Sequence, residues 1–352
     1  MFKSFTLLLI FVSLVYPESK KGVRLVESIS KKHLISNLHP TSQSILQPKK
    51  KAAEPIKKIA VPQTPKELFN FERVFESKDF VVKVRSRSFK QGELMMVRLF
   101  DSNGKTSSSD LNKYSVRWQN KEIKLIKLND ILTGFVPIHP EFKIGTYDLE
   151  IRTRDEANTY KACPMEIAKA DFLEKKVTET LKLPKRFSSK GNDKTDYEFI
   201  AQCEKLKREA FESNTQISFF NNFQLPAKMK KITSNFYARR NYYNKKGKPH
   251  GGIDIRGNTG DPIYAIQDGK VLIARKMYFE GIFTVIDHGN KIFSMYMHQS
   301  ETLVNEGDTV KKGQYIGKIG STGMSTGPHL HLGLKVEGVL LNPLSAIQLK
   351  IF

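Results

Sequence analysis

The sequence contains little cysteine or tryptophan and no recognisable acyl-enzyme motif. Of its 352 residues, two are cysteine and one is tryptophan. Neither cysteine lies near a histidine motif and no G-x-S-x-G occurs, so cysteine and serine acyl-enzyme mechanisms have little support. No cysteine lies near the first residues, which excludes an acylated lipoprotein start. In an oxidising compartment Cys163 and Cys203 could pair, and the sequence leaves this open.

Long apolar runs are also absent, apart from a short one near the start. Met1-Phe-Lys3 is followed by 12 mostly apolar residues, from Phe5 to Tyr16, which is typical of a secretory signal. A helix takes about 20 residues to cross a bilayer. We therefore predict a signal peptide at residues 1–19, no transmembrane span beyond it, and export to the periplasm or cell envelope, or secretion. No A-x-A-like cleavage sequence follows, so an uncleaved anchor stays open.

Acidic residues are fewer than basic ones. Lys and Arg total 58 against 36 Asp and Glu, a formal net charge of +22 at pH 7. Residues 20–68 combine lysine clusters with prolines and few aromatics, so we predict a basic disordered linker that cannot bury enough apolar surface to fold. No nucleic-acid recognition motif accompanies the charge. We expect anionic cell-envelope polymers as partners of the linker, and no nucleic acid.

Short apolar runs broken by Gly and Asn turns fill residues 69–164, the clearest being 80–85, 93–100 and 145–151. Runs of this length and spacing predict a small antiparallel β-sandwich of immunoglobulin-like type. Trp118 could stack on a sugar, but a core aromatic is the favoured interpretation.

Residues 165–225 are predicted to be a connector with one amphipathic helix. Thr195-Asp-Tyr-Glu198 resembles a capping box, and apolar residues follow at helical spacing: Phe199, Cys203, Leu206 and Ala210. Residues 226–352 return to short apolar runs separated by glycine turns, at 263–266, 270–275, 282–287, 291–298, 315–319 and 329–336. The predicted fold is therefore mainly β, with an N-terminal antiparallel β-sandwich, a helical connector and a C-terminal antiparallel β domain.

The C-terminal part also concentrates the histidines, since five of eight lie in the last 103 residues. In His250-Gly-Gly-Ile-Asp254 two glycines let the backbone turn sharply between an imidazole and a carboxylate, which makes the two a candidate ligand pair. His329 and His331 flank one residue in a β run, so both rings leave the same face of the strand. One can bind metal while the other faces the open coordination position. Imidazoles with a carboxylate fit catalytic zinc, which usually takes three protein ligands.

Tyr296-Met297-His298 is a third element of this region. By the period of two, Tyr296 and His298 are predicted to share one face of a strand. A single H-x-x-x-D or H-x-H is a weak signal, because such pairs are more often ordinary surface or core residues. The concentration of all these elements in one domain favours the metal interpretation. His288 falls in a predicted hairpin turn, and we do not assign it to the site.

H-G-G-I-D, Y-M-H and G-P-H-L-H occur in this order, with G-S-T-G-M-S-T-G-P leading into the last. From about residue 234 to 343 the sequence resembles the lysostaphin/LytM-type zinc metallopeptidases, which cleave peptide cross-links in bacterial peptidoglycan. The resemblance implies one zinc ion per chain, bound by His250, Asp254 and His331. It also implies that His298 and His329 are unligated catalytic histidines.

Two positions depart from the family pattern. The family usually reads S-x-F-G-x-R where this chain has Ser234-Asn-Phe-Tyr-Ala-Arg239, and Y-x-H-L where Gln299 replaces the leucine. Neither departure touches a metal ligand. They therefore bear on the shape of the substrate groove rather than on the chemistry.

The implied function is zinc-dependent hydrolysis of peptide cross-links in peptidoglycan. Zinc with two imidazoles and one carboxylate keeps an open position, polarises a peptide carbonyl and lowers the pKa of a bound water toward about 7. His298 and His329 would share proton transfer and oxyanion stabilisation, in an order that the sequence leaves open. Tyr296 is a weaker candidate for an oxyanion or substrate contact. Which cross-link is cut also stays open.

The alternative is a catalytically inactive relative that binds the cell wall or regulates other wall hydrolases. Such a relative is expected to lack one or more metal ligands. All five histidine and aspartate positions are filled in this chain, which favours the enzyme.

Overall fold

The computed structural model describes residues 71–77, 79–102, 114–153, 160–178, 187, 194–216, 221–229, 231–242 and 247–352. The predicted signal peptide at residues 1–19 and the predicted linker at 20–68 lie outside these residues. Within the described ranges, no helix is both long enough and apolar enough to cross a membrane. Most of the regular structure there is β-strand, as the sequence predicts.

The first strands form two antiparallel sheets. They are β1 (Phe71–Glu76), β2 (Phe80–Ser86), β3 (Leu94–Asp101), β4 (Tyr114–Trp118), β5 (Lys121–Ile123), β6 (Ile126–Leu128), β7 (Ile131–Pro137), β8 (Gly145–Thr153) and β9 (Tyr160–Ile167). One sheet has the strand order β1-β2-β3-β7-β6 and the other has the order β5-β4-β8-β9.

The two sheets pack around one apolar core. In β2, buried and half-buried residues alternate, with Phe80, Val82 and Val84 in the core, because successive side chains of a strand point to opposite faces. Trp118 is 5% exposed and stacks on Phe142 with ring centroids 5.8 Å apart, so the prediction of a core aromatic is confirmed. The antiparallel β-sandwich is also confirmed, whereas its immunoglobulin-like type stays a prediction.

Strand β3 is buried on both faces. Met95 and Val97 lie in the sandwich core, and Leu94 and Met96 lie in the core of the C-terminal domain. A strand covered on both sides needs a continuous apolar run rather than an alternating one. The run Leu-Met-Met-Val is therefore the place where the sandwich packs directly on the C-terminal domain.

The connector contains β10 (Glu174–Val177) and α1 (Lys194–Phe211), and α1 confirms the predicted helix. Its apolar face, which includes Phe199, Cys203 and Leu206, packs on a cluster with Phe283 of the C-terminal domain. Cys203 is buried in this cluster and Cys163 is buried in the sandwich core, and both thiols are free. The two cysteines therefore do not pair in this structure.

The remaining elements are β11 (Ile232–Ser234), β12 (Arg239–Tyr242), β13 (Gly252–Arg256), β14 (Pro262–Tyr264), β15 (Gly269–Met277), β16 (Gly281–Asp287), β17 (Ile292–Thr302), β18 (Thr309–Val310), β19 (Tyr315–Ile319), β20 (His329–Val336), β21 (Val339–Leu341) and α2 (Leu344–Ile347). A ten-stranded antiparallel sheet follows the path β11-β13-β20-β17-β16-β15-β18, with β14, β19 and β21 paired to its members. Strand β12 pairs in parallel with β10, which ties the connector to this domain. The antiparallel C-terminal domain is thus confirmed.

Candidate functional site

Neighbouring strands β13 and β20 bring two polar side chains together. Asp254 and His331 are direct partners in their antiparallel register. Ile253 and Ile255 pack in the core, so the residue between them faces the other side of the sheet. His329 lies two residues before His331, and its Nε2 is 3.7 Å from Asp254 Oδ1. Both histidines of the H-x-H pair therefore leave the same face of β20, as predicted.

His250 completes a triangle of donor atoms with Asp254 and His331. His250 Nε2 lies 2.9 Å from His331 Nδ1 and 3.0 Å from Asp254 Oδ1, and His331 Nδ1 lies 2.9 Å from the same oxygen. In a tetrahedral zinc site with bonds of about 2.0–2.1 Å, neighbouring donors are about 3.3 Å apart. The triangle fits such a site to within a few tenths of an ångström, so these three residues could hold a metal ion.

Backbone carbonyls orient the rings around this triangle. His250 Nδ1 is 3.0 Å from the carbonyl oxygen of Asn235, His329 Nδ1 is 2.8 Å from that of Gly327, and His298 Nδ1 is 2.8 Å from that of Thr322. A carbonyl only accepts, so each Nδ1 carries the proton and donates it. Each Nε2 is then left with a lone pair, as a metal ligand or a general base requires.

Electrostatics keep the cluster in the protonation states that bind metal. Burial raises the pKa of the Asp254 carboxyl, but the hydrogen bonds and charges of His250 and His331 outweigh it and hold that pKa well below its ordinary value. Burial lowers the pKa of His331, and Asp254 opposes this only in part. Burial, followed by repulsion from His329, lowers the pKa of His298 to about 4. Near neutral pH, Asp254 is therefore charged and His298 is neutral.

His298 reaches the cluster through a β-bulge. Thr284 pairs with Tyr296 and Ile282 pairs with Gln299, so one residue of β16 stands opposite two residues of β17. His298 is one of those two and has a φ of +63°, in the left-handed region. Its ring centroid lies 4.8 Å from that of His329 and 6.2 Å from that of His331.

The structure does not bring Tyr296 to this cluster, and the prediction that it shares a face with His298 is wrong. Its side chain is fully buried in the core, where the hydroxyl accepts a hydrogen bond from the Ile266 N–H at 2.9 Å and contacts Ser294 Oγ at 3.1 Å. Burial raises the pKa of Tyr296. The bulge reverses the alternation after Tyr296, so an oxyanion or substrate contact by this residue has no structural support.

His288 lies apart from the cluster, as predicted. It is fully buried, with Nδ1 donating to the Asp268 carbonyl and Nε2 accepting from Ser294 Oγ, each at 2.8 Å. Gln299, which departs from the family pattern, is also buried, and its Nε2 donates to Thr284 Oγ1 at 2.8 Å. Gln299 therefore bonds inside the sheet rather than lining a groove.

Several groups that position the site carry no signal in the sequence. The carbonyls of Asn235, Thr322 and Gly327 are backbone atoms that any residue provides. Gly252 does have a recognisable role, because a Cβ there would lie 2.1 Å from the Leu332 oxygen and 2.8 Å from His331 Nε2. The glycine thus leaves room for the His331 ring. This role can be recognised from the sequence only when the register between β13 and β20 is known.

Comparison with known proteins agrees with this geometry. The family model of peptidase family M23 matches residues 248–343. The peptidoglycan DD-endopeptidase ShyA of Vibrio cholerae is 40% identical over 128 residues, which are 36% of this chain and 30% of that protein. The DD-carboxypeptidase/endopeptidase Mpg of Neisseria meningitidis is 36% identical over 115 residues, 33% of this chain and 26% of the relative. The chain thus spans less than a third of the length of these curated relatives.

A solved structure extends the likeness beyond the matched region. A candidate peptidase M23 from Pseudomonas aeruginosa superposes with a TM-score of 0.53 and 22% identity, covering 75% of this chain and 96% of that one. At this identity the likeness concerns the fold. The family match contains the whole cluster, namely His250, Asp254, His298, His329 and His331, and residues 248–343 of this chain form a peptidase family M23 domain.

Proposed function

We propose that this chain is a zinc-dependent endopeptidase that hydrolyses peptide cross-links of bacterial peptidoglycan. The observation that carries the proposal is the triangle of His250, Asp254 and His331, beside which two further histidines have a free Nε2. The named relatives, described as peptidoglycan endopeptidases and a DD-carboxypeptidase/endopeptidase, support the choice of substrate. A catalytically inactive relative would be expected to lack one of these groups.

His250, Asp254 and His331 would hold one zinc ion per chain. When bound, zinc acts as a Lewis acid that polarises a peptide carbonyl and activates water at neutral pH. The Asp254 carboxylate, whose pKa is held well below its ordinary value by both histidines, is charged at neutral pH. Asp254 can therefore bind a cation at mildly acidic as well as neutral pH.

His298 and His329 would handle the protons and the oxyanion. The lowered pKa of His298, about 4, keeps its ring neutral near pH 7, so its Nε2 is ready to accept a proton. One ring accepts the proton of the attacking water and passes it to the leaving amine. The other would stabilise the tetrahedral oxyanion by donating from Nε2, for which it must first take up a proton from solvent.

A hollow of about 270 Å³ beside the ligands provides room for a peptide. Its lining includes His250 and Asp254 together with Arg240 and Lys248. The two exposed cations suit a substrate that carries carboxylates, as peptide cross-links do. We propose that the substrate strand enters here and that the enzyme works in the periplasm or cell envelope after export. Binding of anionic envelope polymers by the basic linker also stays a proposal.

The test is digestion of purified peptidoglycan sacculi of defined cross-link type by the zinc-loaded full chain, followed by mass analysis of the soluble products. We expect release of cross-link fragments with new amine and carboxyl ends, abolished by a chelator and restored by zinc. A zinc-loaded, folded chain that releases nothing from any cross-link type would contradict the proposal.

A further inference from the structure

The metal ligand His250 is held by a short loop before it, residues 235–238. The Tyr237 N–H donates to the His250 carbonyl at 2.8 Å, and the His250 N–H donates to the Ala238 carbonyl at 3.0 Å. The His250 ring donates to the Asn235 carbonyl, also at 3.0 Å. Both backbone groups of His250 and its ring are therefore fixed by this loop, so the position of the loop sets the position of the ligand.

Tyr237 is in an unfavourable backbone conformation within that loop. Its φ is +60°, the left-handed region that glycine adopts freely and that costs other residues about 1–2 kcal/mol. A tyrosine persists in such a conformation only when the contacts of its side chain hold it there.

Two of the side-chain contacts of Tyr237 come from outside the C-terminal domain. The Tyr237 hydroxyl donates to Oε1 of Glu141, which lies in the loop between β7 and β8 of the sandwich. Phe172, in the segment that follows the sandwich, packs on the tyrosine ring with centroids 4.6 Å apart. Arg239 lies over the same ring, with Cζ 5.1 Å from its centroid, and donates to Glu141 Oε1 at 3.0 Å. The unfavourable backbone conformation of Tyr237, in the C-terminal domain, is thus stabilised by a hydrogen bond to the Glu141 carboxylate of the sandwich.

The charge distribution is consistent with this fastening. The hydrogen bond from Tyr237, aided by Arg239, lowers the pKa of Glu141. Burial, followed by the bond to Glu141, raises the pKa of Tyr237 to about 12. At neutral pH a neutral hydroxyl therefore faces an ionised carboxylate, which is the stronger type of hydrogen bond.

We propose that Tyr237 is a positioning residue through which Glu141 of the sandwich holds the metal ligand His250 in place. The described residues of the sandwich add no member to the cluster of His250, Asp254 and His331, yet Glu141 contributes to the site by fixing the loop that orients this ligand. The inference rests on the proposed metal role of His250 for its effect on zinc, but its effect on the His250 backbone stands without metal.

The experiment uses four full-length variants: Tyr237→Phe, which keeps the ring and removes the hydroxyl, Glu141→Gln, the double variant, and the control Tyr147→Phe. The Tyr147 hydroxyl donates to the Lys143 carbonyl at 2.9 Å within the sandwich, so the control loses a comparable hydrogen bond that does not reach residues 235–238. Two quantities are measured: the zinc dissociation constant, by competition with a chromogenic chelator, and the hydrogen-exchange rate of the His250 amide in the metal-free chain.

We expect each of the variants at Tyr237 and Glu141 to raise both quantities about 3- to 10-fold, as one hydrogen bond to a largely exposed carboxylate allows. The double variant should be no worse than Glu141→Gln alone, because the Tyr237 hydroxyl acts only through its bond to Glu141, whereas Glu141 also pairs with Arg239. Tyr147→Phe should change neither. Unchanged exchange of the His250 amide, or additive effects in the double variant, would overturn the inference. Faster exchange in a chain whose wild type binds no zinc would support the inference and overturn the proposed function instead.

Discussion

Replacing Asp254 by asparagine removes one negative charge from the triangle while keeping the size of the side chain. Asp254 Oδ1 lies 2.9 Å from His331 Nδ1 and 3.0 Å from His250 Nε2, so two imidazoles meet at this single oxygen, while His329 Nε2 is 3.7 Å away. Even residues that only support metal ligands cost about 10- to 100-fold in affinity when they are lost. We therefore expect Asp254→Asn, and likewise His250→Ala and His331→Ala, to weaken zinc binding by about 100-fold or more.

The variants His298→Ala and His329→Ala should behave differently, because neither ring belongs to the triangle. Zinc should stay bound while turnover falls by about 10² to 10⁴, the usual contribution of a general acid or base. His288→Asn is the control, since His288 is buried far from this chemistry in its own hydrogen bonds. It should lose stability but keep both zinc and turnover.

The assay dialyses each variant against a limiting chelator, measures zinc by mass spectrometry, and follows peptide release from sacculi with the metal restored. If His329→Ala stripped the zinc while His331→Ala retained it, the assignment within the H-x-H pair would be reversed. If the wild-type chain bound no stoichiometric zinc, the proposal of a zinc peptidase would fail and a non-catalytic wall-binding module would be the better account.

Three further predictions concern stability, packing and the linker. Burial lowers the pKa of His288 to about 4 against 6.5 in the unfolded chain, so the unfolded state binds the proton first and stability should fall by about 3 kcal/mol as the pH drops from 6.5 to 4; in urea unfolding, the loss of stability over this range should be smaller by about that amount in His288→Asn than in the wild type. Gly252→Ala should destabilise the fold and weaken zinc binding, because its Cβ would lie 2.1 Å from the Leu332 oxygen, whereas the neighbouring Gly251→Ala meets its first atom at 3.4 Å and should be tolerated; equal melting temperatures would contradict this. A chain shortened to begin at Glu67 loses residues 17–66, which carry 11 basic and 3 acidic residues, and should keep activity on soluble fragments while binding intact envelopes less tightly at low salt; unchanged binding across a salt series would refute the proposed role of the linker.

Much of the fold could be predicted from local pattern. Strands β19 and β20 begin and end as the apolar runs indicate, because glycine turns mark both ends of each run. The pairing of Asp254 with His331 could not be read in the same way, since the two residues are 77 positions apart and register depends on the whole sheet. The resemblance to a family indicated that these two residues belong to one site, which the periodicity of the strands could not do.

The packing between the sandwich and the C-terminal domain could not be predicted from the sequence, although the apolar run that makes the contact is visible there. The run Leu94-Met-Met-Val97 is continuously apolar, which is the pattern of a strand covered on both faces. From the sequence alone the run indicates one more sandwich strand, because the sequence does not say what would cover the second face. The role proposed for Glu141 could not be predicted for the same reason, since the sequence shows only an exposed acidic residue in a loop and does not say which domain it contacts.

The bulge at His298 follows from two demands on one strand. Tyr296 must face the core, where its hydroxyl bonds to the Ile266 N–H, and His298 must face the opposite side, where its ring meets His329. On a regular strand, residues two apart share a face, so both demands can be met only if one extra residue is inserted between them. The inserted geometry forces His298 to a φ of +63°, which is unfavourable for a residue with a side chain. Two hydrogen bonds hold it there, from the backbone N–H to the Glu280 carbonyl and from Nδ1 to the Thr322 carbonyl, each at 2.8 Å. The alternation therefore fails at His298 because the bulge turns its ring toward His329, and a backbone held in this unfavourable conformation supports the catalytic role proposed for His298.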